Sequence, residues 1–136
     1  LGPTTTASCF PADHISGAVG WKVISDGMSI VFSGDTRYNP TLVENSKKAR
    51  LLIHEALRTD EELDYVKNRG HATAGEAARS ASQAGVSELV LTHIDSIYHH
   101  DSRPLLDDAR KYYNGPISAA TDLHQMTVAG HQNSNG

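Results

Sequence analysis

Several short apolar runs of this sequence are each followed at once by a polar residue that could do chemistry. These residues are Asp35, the pair His54 and Glu55, His93, and Asp122. If the runs are buried strands, the loops after them expose the polar groups while the strands hold them rigidly. Imidazole nitrogens and carboxylate oxygens are ligands that zinc accepts. The pattern therefore predicts a metal-dependent site at the ends of the strands.

The composition excludes several classes of protein. The chain has 136 residues, with 12 Lys+Arg, 16 Asp+Glu, 8 His and a formal net charge of −4. Its mild acidity argues against a domain that binds nucleic acid by bulk charge. No apolar run approaches the roughly 18 residues that a membrane span needs. The single cysteine, Cys9, excludes an internal disulfide and a cysteine-based zinc site. We expect a cytoplasmic protein that has no membrane partner.

The elements that must position these residues alternate between strands and helices. The predicted strands are residues 18–24, 29–33, 50–54, 88–92, 116–120 and 125–128, and the predicted helices are residues 40–49, 59–70, 73–85 and 102–113. This alternation predicts an α/β layered domain with helices packed on a sheet. We expect a single domain over residues 1–136, with an ordered core at about residues 9–128 and short loose termini.

Short signals mark where these elements begin and end. Asp26 and Gly27 indicate a hairpin turn between the first two strands, because glycine accepts the positive φ that such turns need. Capping boxes at residues 59–62 (TDEE) and 73–76 (TAGE) each indicate the start of a helix. Alanines follow the second box at intervals of three and four residues, which is typical of a helix that packs closely on a sheet.

Five segments together resemble the motifs of the metallo-β-lactamase superfamily, and within it the tRNase Z and arylsulfatase-like phosphodiesterase group. They are residues 10–14 (FPADH), 33–36 (SGDT), 51–56 (LLIHEA), 70–78 (GHATAGEAA) and 89–94 (LVLTHI), and residues 120–123 (ATDL) follow them. The superfamily's His-x-His-x-Asp-His signature is absent from this sequence. The resemblance therefore implies an α/β fold, a βα half-sandwich equivalent to the C-terminal half of the αββα fold.

The resemblance also implies roles for particular residues. His14 resembles a ligand of a first metal, Asp35 the carboxylate that bridges two metals, and His93 a ligand of the second. His71 resembles a histidine near the scissile phosphate, and Glu55 is a candidate partner that orients it. The implied cofactor is a pair of zinc ions, which activate water and stabilise charge on the attacked ester. A histidine beside them could protonate the leaving alkoxide.

The departures from the family pattern limit what this chain can do alone. Ala72 stands where the family has serine, and Leu57 where threonine is common. Two protein ligands per ion fall short of the three to four that zinc sites take, so we expect a weak or partial site and no activity from this chain alone.

The chain begins at Leu1 with no signal-peptide pattern. We expect a partner, either a missing N-terminal half or a second copy, to cover an apolar sheet face.

Alternatives remain for both function and residues. The first functional interpretation is phosphodiester cleavage of the tRNase Z type, with RNA as a substrate. Sulfate-ester or cyclic-nucleotide hydrolysis is the second, and a non-catalytic half-domain that self-associates is the third. His93 could instead bond a neighbouring backbone, and Asp35 could cap its own turn. His54 is equally well explained as a buried structural residue.

Three further residues are expected to lie outside the chemistry. His99 and His100 are adjacent, and adjacent side chains rarely point at one ion, so a solvated loop is the better interpretation. Cys9 is expected to pack in the core.

Overall fold

The computed structural model describes residues 4–128. Its strands are β1 (Thr5–Pro11), β2 (Val19–Ser25), β3 (Met28–Phe32), β4 (Leu51–Glu55), β5 (Leu89–Thr92) and β6 (Ile117–Ala119). Its α-helices are α1 (Pro40–Asn45), α2 (Leu63–Asn68), α3 (Ala74–Ala84) and α4 (Arg103–Arg110), with 3₁₀ turns at Asp60–Glu62 and Ser96–Tyr98. Within the described residues, no helix is both long and apolar enough to cross a bilayer.

The strands form one mixed sheet whose spatial order follows the chain order, β1 to β6. The pairs β1/β2 and β2/β3 are antiparallel, and β3, β4, β5 and β6 run parallel to one another. The predicted hairpin between β2 and β3 is confirmed, since Asp26 and Gly27 both have positive φ, 50° and 76°. Because parallel strands end together, the residues after β3, β4 and β5 meet at one edge of the sheet.

One face of the sheet is covered by helices and forms the core. Val31, Leu52 and Leu89 lie on neighbouring strands of this helix face, and each is fully buried. The predicted small-residue face of α3 is confirmed, since its alanines Ala74, Ala77, Ala78 and Ala81 are all buried. The capping box at Thr73 and Glu76 is present, and Gly85 ends the helix in the left-handed conformation.

The other face carries apolar side chains that remain partly exposed. We call it the open face and define it by Trp21, Val23, Ile30, Phe32 and Ile53, which alternate with the helix-face residues along their strands. Trp21 is 46% exposed and Phe32, its partner on β3, is 40% exposed. Leu51 and Val90 on the same face are buried, and they line a cavity together with Leu123, His124, Met126 and Val128. The chain thus covers one part of this face and leaves the rest accessible.

Several predictions from the sequence are wrong in this structure. Residues 125–128 do not form a strand, because the chain turns at Leu123, whose φ is +61°, and continues as irregular backbone. The first strand begins at Thr5, inside the segment expected to be loose. Cys9 is exposed and not in the core, because it shares the open face with its partner Trp21, whereas the next residue, Phe10, is buried in the core. The predicted tail beyond residue 128 lies outside the described residues.

The ends of the helices also differ from the predictions. Helix α1 ends at Asn45 and α4 at Arg110, in each case a few residues earlier than the sequence pattern indicates. The predicted helix at residues 59–70 is a 3₁₀ turn followed by α2. His99 and His100 are exposed in a loop, as expected.

Candidate metal centre

The residues that the sequence singled out converge at the carboxyl edge of the sheet. The contributing positions are His14 in the β1–β2 loop, Asp35 after β3, Glu55 at the end of β4, His71 before α3, and His93 after β5. The ring of His71 lies between the rings of His14 and His93, with centroid distances of 4.9 and 5.0 Å. Five segments far apart in the sequence thus supply one cluster of imidazoles and carboxylates.

A metal ion could be held by three of these residues. One ligand atom each from His14, Asp35 and His71 lie within 4.8 Å of one another. Nδ1 of His93 lies 3.8 Å from Oδ1 of Asp35, so His93 borders the same group. Two imidazoles and one carboxylate form a donor set that suits zinc. The structure thus contains a His/Asp triad of the kind that binds a metal.

Hydrogen bonds fix which nitrogen of each imidazole is available. Nδ1 of His14 lies 2.9 Å from the carbonyl oxygen of Gly70, which can only accept, so Nδ1 carries the proton. Nδ1 of His71 lies 3.1 Å from Oε1 of Glu55, and an ionised carboxylate imposes the same tautomer. Nε2 of each neutral ring is then left with its lone pair. Metal-binding histidines are commonly oriented in this way, with one ring N–H donating to a carboxylate or a carbonyl and the other nitrogen left for the metal.

Gly70 is required for the position of His14. Its φ is +87°, and a Cβ atom added there would lie 2.5 Å from Nδ1 of His14. Both the backbone conformation and the close approach therefore demand glycine. From the sequence, Gly70 was predicted only as the end of a helix, although a glycine immediately before a candidate site histidine was a visible signal.

Glu55 connects the loops that carry the site residues. Its side chain is almost fully buried, and Oε1 accepts from the backbone N–H of Thr36 at 2.5 Å while Oε2 accepts from that of Ala72 at 3.1 Å. Its own N–H donates to Oγ of Ser33 at 3.0 Å. Burial raises the pKa of Glu55 to about 7, although the two backbone donors lower it. Glu55 thus fixes the Asp35 loop and the His71 loop at once.

The loop of His14 is tied to the loop of Asp35 by separate contacts. The N–H of Asp13 donates to Oγ1 of Thr36 at 2.9 Å, and the N–H of Arg37 donates to the carbonyl of Asp13 at 2.9 Å. The guanidinium of Arg37 also lies 3.3 Å from the carboxylate of Asp13 and donates to the carbonyl of Lys67. Thr36 and Arg37 were not singled out from the sequence, because backbone-directed bonds leave no spacing pattern.

His54 does not belong to the cluster. It points to the helix face, is fully buried, and its Nδ1 donates to the carbonyl of Glu55 at 2.7 Å. Its Nε2 has no hydrogen-bond partner among the described residues. Burial lowers the pKa of His54 to about 4, so the ring is neutral at physiological pH. Of the two interpretations left open, the structural one fits its position.

The structure also shows where Asp122 and His71 lie relative to the predicted site. Asp122 is exposed and lines a cavity of about 810 Å³ that also contacts His93, His99 and His100. The sequence placed His71 beside the metals and not among their ligands, yet His71 and not His93 completes the triad with His14 and Asp35. Both a ligand role and a proton-transfer role are compatible with this position of His71.

The comparisons with known proteins agree with this fold. Residues 1–94 match the family described as the beta-lactamase superfamily domain. The Ribonuclease Z of Myxococcus xanthus is 46% identical over 96 residues, which are 71% of this chain and 31% of that protein. The Ribonuclease Z of Methanosarcina acetivorans is 43% identical over 102 residues, 75% of this chain and 33% of that protein. The chain spans about a third of the length of these curated relatives.

A solved structure shows the same fold at low sequence identity. The metallo-beta-lactamase fold protein YhfI from Bacillus subtilis superposes with a TM-score of 0.78 at 24% identity, over 88% of this chain and 48% of that one. This likeness extends to the fold of the mixed sheet, and the match of residues 1–94 shows the family. The chain therefore belongs to the metallo-β-lactamase superfamily.

Proposed function

We propose that this chain supplies part of the metal centre and the proton donor of a metal-dependent hydrolase that cleaves phosphodiesters. The observation that carries the proposal is the convergence of His14, Asp35, His71 and His93 at one edge of the sheet, held by Glu55. The curated relatives are ribonucleases by name, which favours RNA phosphodiesters over sulfate esters.

The proposed metals are two zinc ions. His14 and Asp35 would hold one ion, and Asp35 and His93 the other, so that the carboxylate of Asp35 bridges them. When bound, zinc lowers the pKa of a bound water and stabilises negative charge on the attacked ester. The positions of Nδ1 of His93 and Oδ1 of Asp35, 3.8 Å apart, support a shared ligand at this point.

The proposed proton donor is His71. Its Nδ1 is held by Glu55, so Nε2 is the nitrogen left to meet a leaving oxygen. Burial lowers the pKa of His71, and the charge of Asp35 raises it. The carboxylate of Glu55 would stabilise the ring when Nε2 carries a proton, which is what a general acid requires. Glu55 is a positioning residue in this scheme.

We further propose that this chain is the C-terminal half of its fold and that the other half covers the open face. YhfI is about twice as long as the part matched here, since the chain covers 48% of it. The human tRNase Z, short form, superposes with a TM-score of 0.73 at 24% identity, over 95% of this chain and 45% of that one. The exposed Trp21 and Phe32 support a missing cover, and that half would also supply further zinc ligands.

The experiment is a chimera in which this chain replaces the matching third of the Myxococcus xanthus Ribonuclease Z. The expected result is zinc-dependent cleavage of an RNA that the parent enzyme cleaves. His71→Ala should lower kcat by about 10²- to 10⁴-fold while the zinc content stays unchanged. The control His124→Ala, at an exposed position, should leave kcat unchanged.

Three results would overturn parts of this proposal. A folded chimera that binds zinc and does not cleave RNA would exclude the phosphodiesterase function. A His71→Ala chimera that cleaves at the parental rate would exclude the proton-donor role. Loss of zinc in His71→Ala would assign His71 to the metal ligands.

A further inference from the structure

We propose that the partly buried ion pair of Arg58 and Asp95 positions His93 for metal binding. The inference rests on the proposed function, because it assigns a role relative to the same metal centre. Neither residue touches the His/Asp triad, so each would act through the loop that it holds.

The segment directly after β4 lies between the loops that carry His71 and His93. On one side, the N–H of Leu57 donates to the carbonyl of Ala72 at 2.9 Å, and the N–H of Ala74 donates to the carbonyl of Arg58 at 2.9 Å. On the other side, the N–H of Asp95 donates to the carbonyl of Leu57 at 3.0 Å. Residues 57–58 therefore join the two histidine loops into one unit.

His93 needs such support because its backbone conformation is unfavourable. It has a φ of +50°, in the left-handed region that non-glycine residues rarely occupy. Such a conformation persists only where the surrounding structure fixes it. Directly after His93, Ile94 packs against the core, and Asp95 is the first polar anchor, which contacts both its own loop and the β4 segment.

The carboxylate of Asp95 makes two separate kinds of contact. Oδ1 accepts from the N–H of Ile97 at 3.1 Å and caps the 3₁₀ turn at Ser96–Tyr98. Oδ2 accepts from Nε of Arg58 at 2.8 Å. The bond to Ile97 and then the bond to Arg58 lower the pKa of Asp95. The cap fixes the local turn, whereas the ion pair adds a side-chain link from that turn to the β4 segment, beside the backbone bond from Asp95 to Leu57.

Arg58 is itself held in a fixed orientation. Its Nη1 pairs with Glu62, its Nη2 lies 3.3 Å from the hydroxyl oxygen of Tyr65, and its guanidinium stacks 4.1 Å from the centroid of that ring. The side chains of Arg58 and Asp95 are only 17% and 16% exposed. A guanidinium with this many fixed partners is a rigid anchor, unlike a surface arginine that moves freely.

The same region contains a matched control pair. Arg103 and Asp101 lie 2.7 Å apart, but their side chains are 82% and 43% exposed. Exposed pairs of this kind contribute little to stability. Substituting Arg103 therefore removes the same kind of charge pair without loosening the link between the histidine loops.

The experiment measures zinc affinity and amide hydrogen exchange for the 136-residue chain and its variants. Asp95→Asn keeps an acceptor for the Ile97 cap and removes the charge, and Arg58→Met removes the other partner. Each should weaken zinc binding by about tenfold, and the double variant should be no weaker than either single one. Arg58→Lys should recover part of the affinity, and Arg103→Met should match the parent.

The amide exchange separates this inference from the proposed function. In the metal-free chain, the N–H of Asp95 should exchange faster in both single variants while global stability changes little. If the parent binds no zinc, the proposed metal centre fails, and the exchange rate still decides whether the pair holds the loop. Unchanged zinc affinity together with unchanged exchange, or strictly additive effects of the two substitutions, would overturn the role of the pair.

Discussion

The two faces of the sheet differ in what covers them, although both are apolar. On the helix face, Val31 and Leu52 are fully buried beneath this chain's own helices. On the open face, Phe32 is 40% exposed even though it is the next residue after Val31 in the same strand. Apolar character alone therefore does not indicate burial within one chain. The open face is apolar like a core, and among the described residues Trp21 and Phe32 on it remain accessible.

The candidate metal centre lies at the edge where these two faces meet. Phe32 and Ile53 of the open face line the same cleft as Asp35, Glu55 and His93. Whatever covers the open face would therefore lie against the centre as well.

The largest expected difference between the faces is the loss in free energy of unfolding when neighbouring residues of β4 are truncated to alanine. Leu52→Ala on the helix face should lower the free energy of unfolding by about 3 kcal/mol, because Leu52 is fully buried among core residues. Ile53→Ala on the partly exposed open face should cost about 1 kcal/mol, since less apolar area is lost. Urea unfolding of the two variants at one protein concentration measures both. Equal losses would mean that the open face is covered in solution.

The faces should also differ in their response to acid. His54 on the helix face has its pKa lowered to about 4, whereas an unfolded histidine titrates near 6.5. Between these values the unfolded state takes up a proton that the folded state does not. His54 therefore reduces the stability as the pH falls from 6.5 to 4, by up to about 3 kcal/mol.

Glu55, next in the strand, has the opposite effect, because its pKa is raised to about 7. Its contribution to stability is fully present below its unfolded pKa of about 4.5 and is lost as the pH rises through 7. Replacing His54 by Asn keeps a donor for the carbonyl of Glu55 and removes the titration. The free energy of unfolding of the variant, relative to that of the parent, should rise as the pH falls below 6.5. A difference between the two that does not change with pH would contradict the assigned titration of His54.

A smaller effect is expected where α3 begins on the helix face. Thr73→Ala should cost about 1 kcal/mol, because the hydroxyl of Thr73 accepts from the N–H of Glu76 at 3.1 Å. Thr73→Ser keeps that acceptor and should recover most of the loss. Thermal unfolding of the pair provides the comparison, and an equal loss in both variants would assign the effect to the missing methyl group.

The smallest effect on stability is expected at Trp21 of the open face. Trp21→Ser should change the free energy of unfolding by less than about 1 kcal/mol, because the side chain is 46% exposed. Sedimentation of parent and variant over a range of concentrations tests whether a second copy covers this face. Association that Trp21→Ser removes would favour a second copy over a separate half as the cover.

Local signals in the sequence predicted most of the helices and parallel strands. The capping box at Thr73 and the turn at Gly27 act between near neighbours, so their residue types suffice to reveal them. The predicted strand at residues 125–128 has an apolar pattern, but its apolar residues Met126 and Val128 line a cavity against the open face. A pattern of apolar residues reports contact with other apolar groups, and it does not distinguish a paired strand from a segment lying across a sheet.

The site was predictable to the extent that it lies at strand ends. Asp35 and His93 were found from that position, whereas the roles of His14 and His71 came only from the family resemblance. The contacts that hold the site could not be found in this way, because the Arg58–Asp95 pair spans 37 positions in the sequence. The close approach of Gly70 to His14 likewise exists only once the chain is folded.

A metal centre at Asp35 is tested most directly by the zinc bound to the chain at equilibrium, measured by dialysis and metal analysis. We predict weak zinc binding by the parent chain and at least tenfold weaker binding by Asp35→Asn, roughly the minimum expected for losing a ligand. Asp122→Asn is the matched control, because Asp122 also follows a strand but lies outside the His/Asp triad. It should bind zinc as the parent does. No zinc in the parent, or equal binding by the two aspartate variants, would contradict a metal centre at Asp35.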